Sequence, residues 1–272
     1  MSFKSILCAY SGEEAHGSGL NHAIKLARHY DGWLTGVVRH GPAPQEQRFW
    51  GQMPERLQRE IREADNALAR QVSERFTEVM TAAGFGERSD FISCDPSTGC
   101  DVPQLARNFD VTVTGVHTDS MENEQHAANP DVIALQSGRP VIVVPNDYAA
   151  DGLADHAVVA WDGKRAASRA LADAFPALEA KSKVTVVTVG EEDAPNLDIL
   201  MRNIARHGID VDYRLQPRKG SVAEALLTAA EDVAAKLLVM GAFEHSRFSH
   251  NLRGGPTTEL MAQSTIPLFL SH

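Results

Sequence analysis

The stretch Leu237-Leu238-Val239-Met240-Gly241, followed by Gly254-Gly255-Pro256-Thr257-Thr258, decides how this chain is read. The first part is an apolar run ending at a glycine, the pattern of a buried strand. A polar loop follows, and then a glycine pair that opens a helix with Pro in its first turn. In a parallel α/β protein such a turn can hold phosphates. Glycine lets the backbone approach the anion, and the first free N–H groups of the helix point at it. The same loop carries Glu244, a carboxylate where phosphate oxygens would have to sit.

Working outward, the chain says nearly the same thing twice. Ser5-Ile6-Leu7-Cys8-Ala9-Tyr10-Ser11-Gly12 and His156-Ala157-Val158-Val159-Ala160-Trp161-Asp162-Gly163 are both apolar runs ending in a small or polar residue and Gly. Each is followed by a stretch of helical period, Leu20 to Ala27 in the first half and Ala167 to Leu178 in the second. A second strand comes next, Trp33 to Val38 against Val184 to Val189. Gly12 and Gly163 are as far apart as Val37 and Thr188, so the repeat holds register.

The later parts also correspond. The expected third strands are Arg88 to Ser93 and Asp210 to Leu215, and Val102 to Asn108 and Val222 to Ala235 are the helices after them. The fourth strands are Val111 to Gly115 and Leu237 to Gly241, and the last are Val141 to Pro145 and Pro267 to Ser271. Strands alternating with helices mean βαβ units, a parallel sheet and helices on both faces. The expected domains are 1–147 and 154–272, joined by an Asp-, Ala- and Gly-rich seam. One part is not duplicated: a Pro-rich segment with Phe49 and Trp50, then an amphipathic helix carrying Leu57, Ile61, Leu68, Val72, Phe76 and Met80. The segment reads as an insertion packed on its own domain, with a lid or partner-docking surface as the alternative.

Composition narrows the function. The chain of 272 residues has a formal net charge of −10. That argues against a general nucleic-acid or anionic-membrane binder, both of which need a basic surface. No apolar run is long enough to span a bilayer. The opening Met1-Ser2-Phe3-Lys4-Ser5 runs straight into a strand, so no secretory signal is expected. Cys8 falls in a strand and reads as a small buried hydrophobe. Cys94 and Cys100 flank a Pro/Ser/Gly loop; a redox or metal role there is the lesser reading, because the spacing fits no common metal site. The expectation is a protein of the reducing cytoplasm. The residues offer no Gly-x-Ser-x-Gly elbow, no Walker A lysine and no paired Cys ligands, so they name no catalytic group and no metal.

The doubled plan, Asp162 at a strand end and the Gly241 to Thr258 loop together resemble the universal stress protein family in its tandem form, over essentially the whole chain. The resemblance implies two doubly wound parallel five-stranded sheets of the adenine nucleotide α-hydrolase-like, Rossmann-like type, with helices on both faces. They would form an internal pseudo-dimer whose last strands, Val141 to Pro145 and Pro267 to Ser271, pair across a pseudo-twofold axis. Nucleotide-binding members carry Gly, a second Gly after two residues, then nine residues and Gly-Ser or Gly-Thr. Here Gly241 and Gly254 match, Glu244 replaces the second Gly, and Gly255 stands where Ser or Thr is expected.

In the family's arrangement Asp162 would approach a ribose hydroxyl or a metal-bound phosphate. Backbone at Val189 would contact a base, and Gly241, Gly254, Gly255 and Thr257 would line the phosphates. The plainer reading is that Asp162-Gly163 makes a turn and caps a helix, and that Gly254-Gly255-Pro256 is a tight loop. In the first half Ser11 replaces the acid, and Asp119, Glu122 and Glu124 follow Gly115. At contact distance each such carboxylate costs a bound phosphate charge on the order of 4 kcal/mol, so this site is read as lost to nucleotide. The expected function is a stress-response or regulatory binding protein with at most one partly retained adenine-nucleotide site, in the second half. The alternatives are an ATP or AMP sensor using magnesium and a slow nucleotide hydrolase. The expected partners are an adenine nucleotide and an unidentified protein, without nucleic acid or membrane, and a homodimer is open.

Overall fold

The structure is a computed structural model that describes residues 2–12, 17–41, 47–116, 129–149, 152–153, 155–242 and 255–272. The first half runs β1 (Ser5–Ala9), α1 (Gly17–Tyr30), β2 (Trp33–Arg39), α2 (Gln47–Trp50), α3 (Glu55–Ala82), β3 (Ser89–Cys94), α4 (Val102–Ala106), β4 (Val111–Gly115), α5 (Pro130–Ser137) and β5 (Val141–Val144). The second runs β6 (His156–Ala160), α6 (Arg165–Leu178), β7 (Lys183–Val189), α7 (Leu197–Arg206), β8 (Val211–Gln216), α8 (Val222–Asp232), β9 (Leu237–Gly241), α9 (Pro256–Gln263) and β10 (Leu268–Ser271).

The strand order is β3-β2-β1-β4-β5-β10-β9-β6-β7-β8, which reads as the same five-strand pattern from either end. All neighbours are parallel except β5 and β10, where Val143 pairs with Leu268, Ile142 with Phe269 and Val141 with Leu270. The expected pairing of the last strands is therefore present. It fuses the two anticipated five-stranded sheets into one sheet of ten strands.

Alternation along each strand sends side chains to two apolar layers. Ile6 and Cys8 of β1 join α1, α3, α6 and α7 on one face, whereas Leu7 joins α4, α5, α8 and α9 on the other. Both faces of the central strands are covered, so β5 reads as an unbroken buried run. Gly36 on β2 makes room for the largest of these packing groups: a Cβ there would lie 2.7 Å from the Phe76 ring of α3.

The unduplicated segment, described from residue 47 onward, folds onto its own half; Pro42, Ala43 and Pro44 lie outside the described residues. Gln58 donates to the carbonyls of Trp50 and Met53, each at 2.9 Å. The Arg62 guanidinium lies 5.7 Å from the centre of the Trp50 ring. Phe49 stays 63% exposed.

Two expectations about cysteine diverge. Cys8 is the buried hydrophobe foreseen, its thiol pushed up to about 12 by burial. Cys94 and Cys100 are joined as a disulfide, with Cα atoms 5.3 Å apart. The turn between them brings the thiols together: Asp95 accepts from the Ser97 amide at 2.8 Å, and Gly99 adopts φ 85°. The spacing excluded a common metal site, but it left out how tightly an Asp-Pro-Ser-Thr-Gly turn closes. A disulfide is also unlike the reduced thiols expected of a cytoplasmic chain.

Candidate functional site

The strand order reverses between β6 and β9, and in open parallel sheets ligands sit beyond the carboxyl ends of the strands at such a point. Ala160 pairs with Val187 and Val159 with Val239. Carrying those registers past the strand ends brings Asp162 level with Val189 and one residue beyond Gly241. Three of the anticipated site residues thus come from three adjacent strands to one level.

Asp162 follows β6, where the Trp161 amide still donates to the Val187 carbonyl at 2.8 Å. Its Oδ1 accepts from the Lys164 amide at 3.0 Å, and its Oδ2 lies 3.6 Å from Lys164 Nζ. Gly163 between them has φ 74°, a left-handed conformation that glycine takes without a Cβ penalty. The turn that was the plainer reading is therefore formed. The side chain is nonetheless 51% exposed, so the surface ion pair holding Oδ2 is weak and open to exchange for a ligand group.

Gly241 has a structural duty. A Cβ there would lie 2.4 Å from the Ala166 carbonyl carbon and 2.6 Å from the Ala167 nitrogen. The N-terminal turn of α6 rests directly on the end of β9. The first half does the same with another glycine: a Cβ on Gly19 of α1 would come within 3.2 Å of the Gly115 nitrogen. Gly255, by contrast, is exposed, a Cβ there would meet no described residue within 4 Å, and it precedes Pro256 at the start of α9. Thr257 is 5% exposed, packed beneath that helix start. Glu259 of α9 accepts from the Ser221 hydroxyl at 2.6 Å, which ties α9 to the start of α8. Gly254 and Glu244, and the first-half acids Asp119, Glu122 and Glu124, lie outside the described residues.

Val189 ends β7 half-buried, and the Gly190 amide donates to the Gln216 carbonyl at 3.0 Å. Directly after it come Glu191, Glu192 and Asp193, all exposed. These three carboxylates at the mouth were not singled out in the sequence, although a run of three acids after a strand is visible there. Three other neighbours were also missed. The His272 ring bonds through Nδ1 to the Ala242 carbonyl at 2.7 Å, holding the end of β9. Trp161 Nε1 and Gln216 Oε1 are buried without a hydrogen-bond partner among the described residues. Among the described residues no three His, Cys, Asp or Glu side chains cluster as a metal site.

Comparison with known proteins matches residues 191–272 to the family model described as the universal stress protein family. Universal stress protein Slr1230 of Synechocystis sp. (strain ATCC 27184 / PCC 6803 / Kazusa) is 27% identical over 172 residues. That alignment takes in 60% of this chain and 58% of the relative, so it spans little more than half the relative's length. Among solved structures, a universal stress protein from Archaeoglobus fulgidus DSM 4304 superposes with a TM-score of 0.69 at 16% identity, covering 99% of this chain and 97% of the other. A functionally unknown protein from Pseudomonas aeruginosa PAO1 gives 0.56 at 13% identity, covering 99% and 92%. At such identities the likeness is one of fold.

Proposed function

We propose that this chain, whose residues 191–272 match the universal stress protein family model, is a stress-response or regulatory protein of that family that acts by binding, with a single adenine-nucleotide site in its second half. Asp162 meets the ribose hydroxyls there, the backbone at Val189 meets the base, and Gly255 and Thr257 meet the phosphate at the start of α9. The observation that carries the reading is the common level of Asp162, Val189 and Gly241 at the carboxyl ends of three adjacent parallel strands.

The surroundings favour a monophosphate over a triphosphate. Gly241 is spent on packing against α6, and Glu191, Glu192 and Asp193 add negative charge beside the cleft. AMP is therefore the preferred ligand, with magnesium contributing little to its affinity.

Calorimetric titration with AMP and ATP, with and without magnesium, tests this. Asp162→Asn keeps an oxygen for the Lys164 amide while removing the charge that grips a ribose. It should weaken AMP binding about tenfold, roughly 1.4 kcal/mol, with the thermal midpoint unchanged. Absence of heat with every nucleotide would overturn the site. It would favour the second reading, a protein-docking module without nucleotide, which the local pairing of Asp162 with Lys164 supports. Release of product from ATP over hours would point to a slow hydrolase.

A further inference from the structure

A second cavity, of about 430 Å³, lies between α1, the end of α3 and the segment that links the halves. It is remote in kind from the strand-end cleft, because its walls are helix flanks. Ser18, His22, Lys25 and Arg28 come from α1, Val79 from α3 and Tyr148 from the link. Ser18, His22 and Lys25 recur at helical spacing, so one stripe of α1 faces the cavity.

The floor of this cavity is polar and unsatisfied. His22 is 6% exposed and Ser18 8% exposed. Yet among the described residues His22 Nδ1 and Ser18 Oγ have no hydrogen-bond partner. Buried polar atoms are nearly always paired, and leaving one unpaired costs about 1–3 kcal/mol. The mouth is cationic. Arg28 donates to the Ala83 carbonyl at 2.6 Å, which fixes its guanidinium at the rim, and Lys25 lies half-buried beside His22. Ile24, Val79 and the Tyr148 ring, whose centre is 6.0 Å from that of His22, supply apolar wall.

We propose that this cavity is a binding site for a small organic carboxylate. Its apolar body would lie against Ile24, Val79 and Tyr148. Its carboxylate would accept from Ser18 and His22 on the floor, within the field of Lys25 and Arg28. The volume is within the range of small-molecule sites, roughly 300–1,000 Å³. The electrostatics agree with an anion. His22 is held uncharged, lowered to about 4, by burial first and then by Lys181 and Lys25. A bound carboxylate offsets those two cations and lets His22 take up a proton.

The test uses the full chain with hexanoate and benzoate as probes, and benzamide and inorganic phosphate as controls, followed by calorimetry and by NMR of the His22 ring. The expected result is saturable binding of one or both carboxylates, with benzamide at least about tenfold weaker. The His22 titration should move upward by about one pH unit when the site is filled. Lys25→Gln combined with Arg28→Gln alters rim side chains, and its urea midpoint is measured alongside to account for the lost Arg28 bond to the Ala83 carbonyl. It should weaken carboxylate binding at least about fivefold. Ser18→Ala should weaken it as well, and Asp162→Asn, in the other cleft, should leave it unchanged. The proposal is overturned if neither carboxylate saturates below about 10 mM, if benzamide binds equally well, if phosphate binds more tightly than both carboxylates, or if the rim variant binds as the natural chain does.

Discussion

Ile142 faces Phe269 across the antiparallel pairing of β5 with β10, and this register is what makes two five-stranded halves into one sheet. Both side chains are almost wholly buried, at 1% and 0% exposure. Cutting the chain after Asn146 would therefore bare the edge of β5 together with its apolar flanks. Unpaired edges of this kind recruit another strand. The fragment 1–146 should run as a dimer or larger species in size-exclusion chromatography with light scattering, a second copy of β5 taking the place of β10. A well-behaved monomer would count against the pairing as the source of cohesion.

Gly241 and Gly255 separate packing from binding. Gly241→Ala drives a Cβ into the backbone of α6 at 2.4 Å, where nothing flexible can yield. A loss of about 1–3 kcal/mol in urea unfolding is expected. Gly255→Ala meets no described residue within 4 Å and sits at an extended φ of −160°, so stability should stay within about 0.5 kcal/mol. Any effect of this second variant belongs to AMP affinity alone.

His22 makes stability depend on pH. Its pKa is lowered from 6.5 to about 4 in the folded chain, chiefly by burial, with the positive charges of Lys181 and Lys25 facing it. Between those values the unfolded chain holds the extra proton. The stabilisation is thus complete above pH 6.5 and is lost as pH falls toward 4. The full loss is about 3 kcal/mol. Carboxylates titrate in the same window, so the readout is the difference between urea midpoints of the natural chain and of His22→Gln from about pH 7.5 to about pH 4. A constant difference would remove His22 as the cause.

The cysteines give a chemical check. Alkylation of the folded, unreduced chain should label none of Cys8, Cys94 or Cys100, because the first is buried and the others are bonded. Unfolding should release one thiol, and reduction three. Cys94→Ser with Cys100→Ser should cost about 2 kcal/mol, as expected for closing so short a loop. A single labelled residue at 94 or 100 before reduction would refute the bond.

Much of this architecture was legible in the sequence because strands carry a local signal. Leu237 to Met240 and Val141 to Val144 are apolar runs bounded by turn residues, and their places in the repeat give the order of elements and a parallel sheet, whereas the doubly wound strand order comes from the family resemblance. The pairing of β5 with β10 came from the family resemblance. The chemistry of the site was harder to read. Whether Asp162 serves a ligand or a turn depends on the Lys164 amide 3.0 Å away, and both readings fit the same letters. Gly241 looked like a phosphate residue until the approach of Ala166 gave it a packing role. His22 and Ser18 stood in an ordinary amphipathic helix. Only the docking of α3 and Tyr148 around them makes a cleft, and no spacing along one helix predicts that. Cys94 and Cys100 were missed as a pair because loop closure depends on a left-handed Gly99.

Joining β5 to β10 within one polypeptide also changes what substitutions can do. Two separate copies that meet edge to edge need enough protein to find each other, and any altered residue appears in both. Here the partner is tethered, so association survives dilution. Each half can vary alone. Ser11 can stand opposite Asp162 in the repeat, and the helix-flank cavity of the first half can differ from whatever its mirror position holds. The covalent link thus turns what would be a symmetric pair into a fixed one-to-one assembly of unlike members.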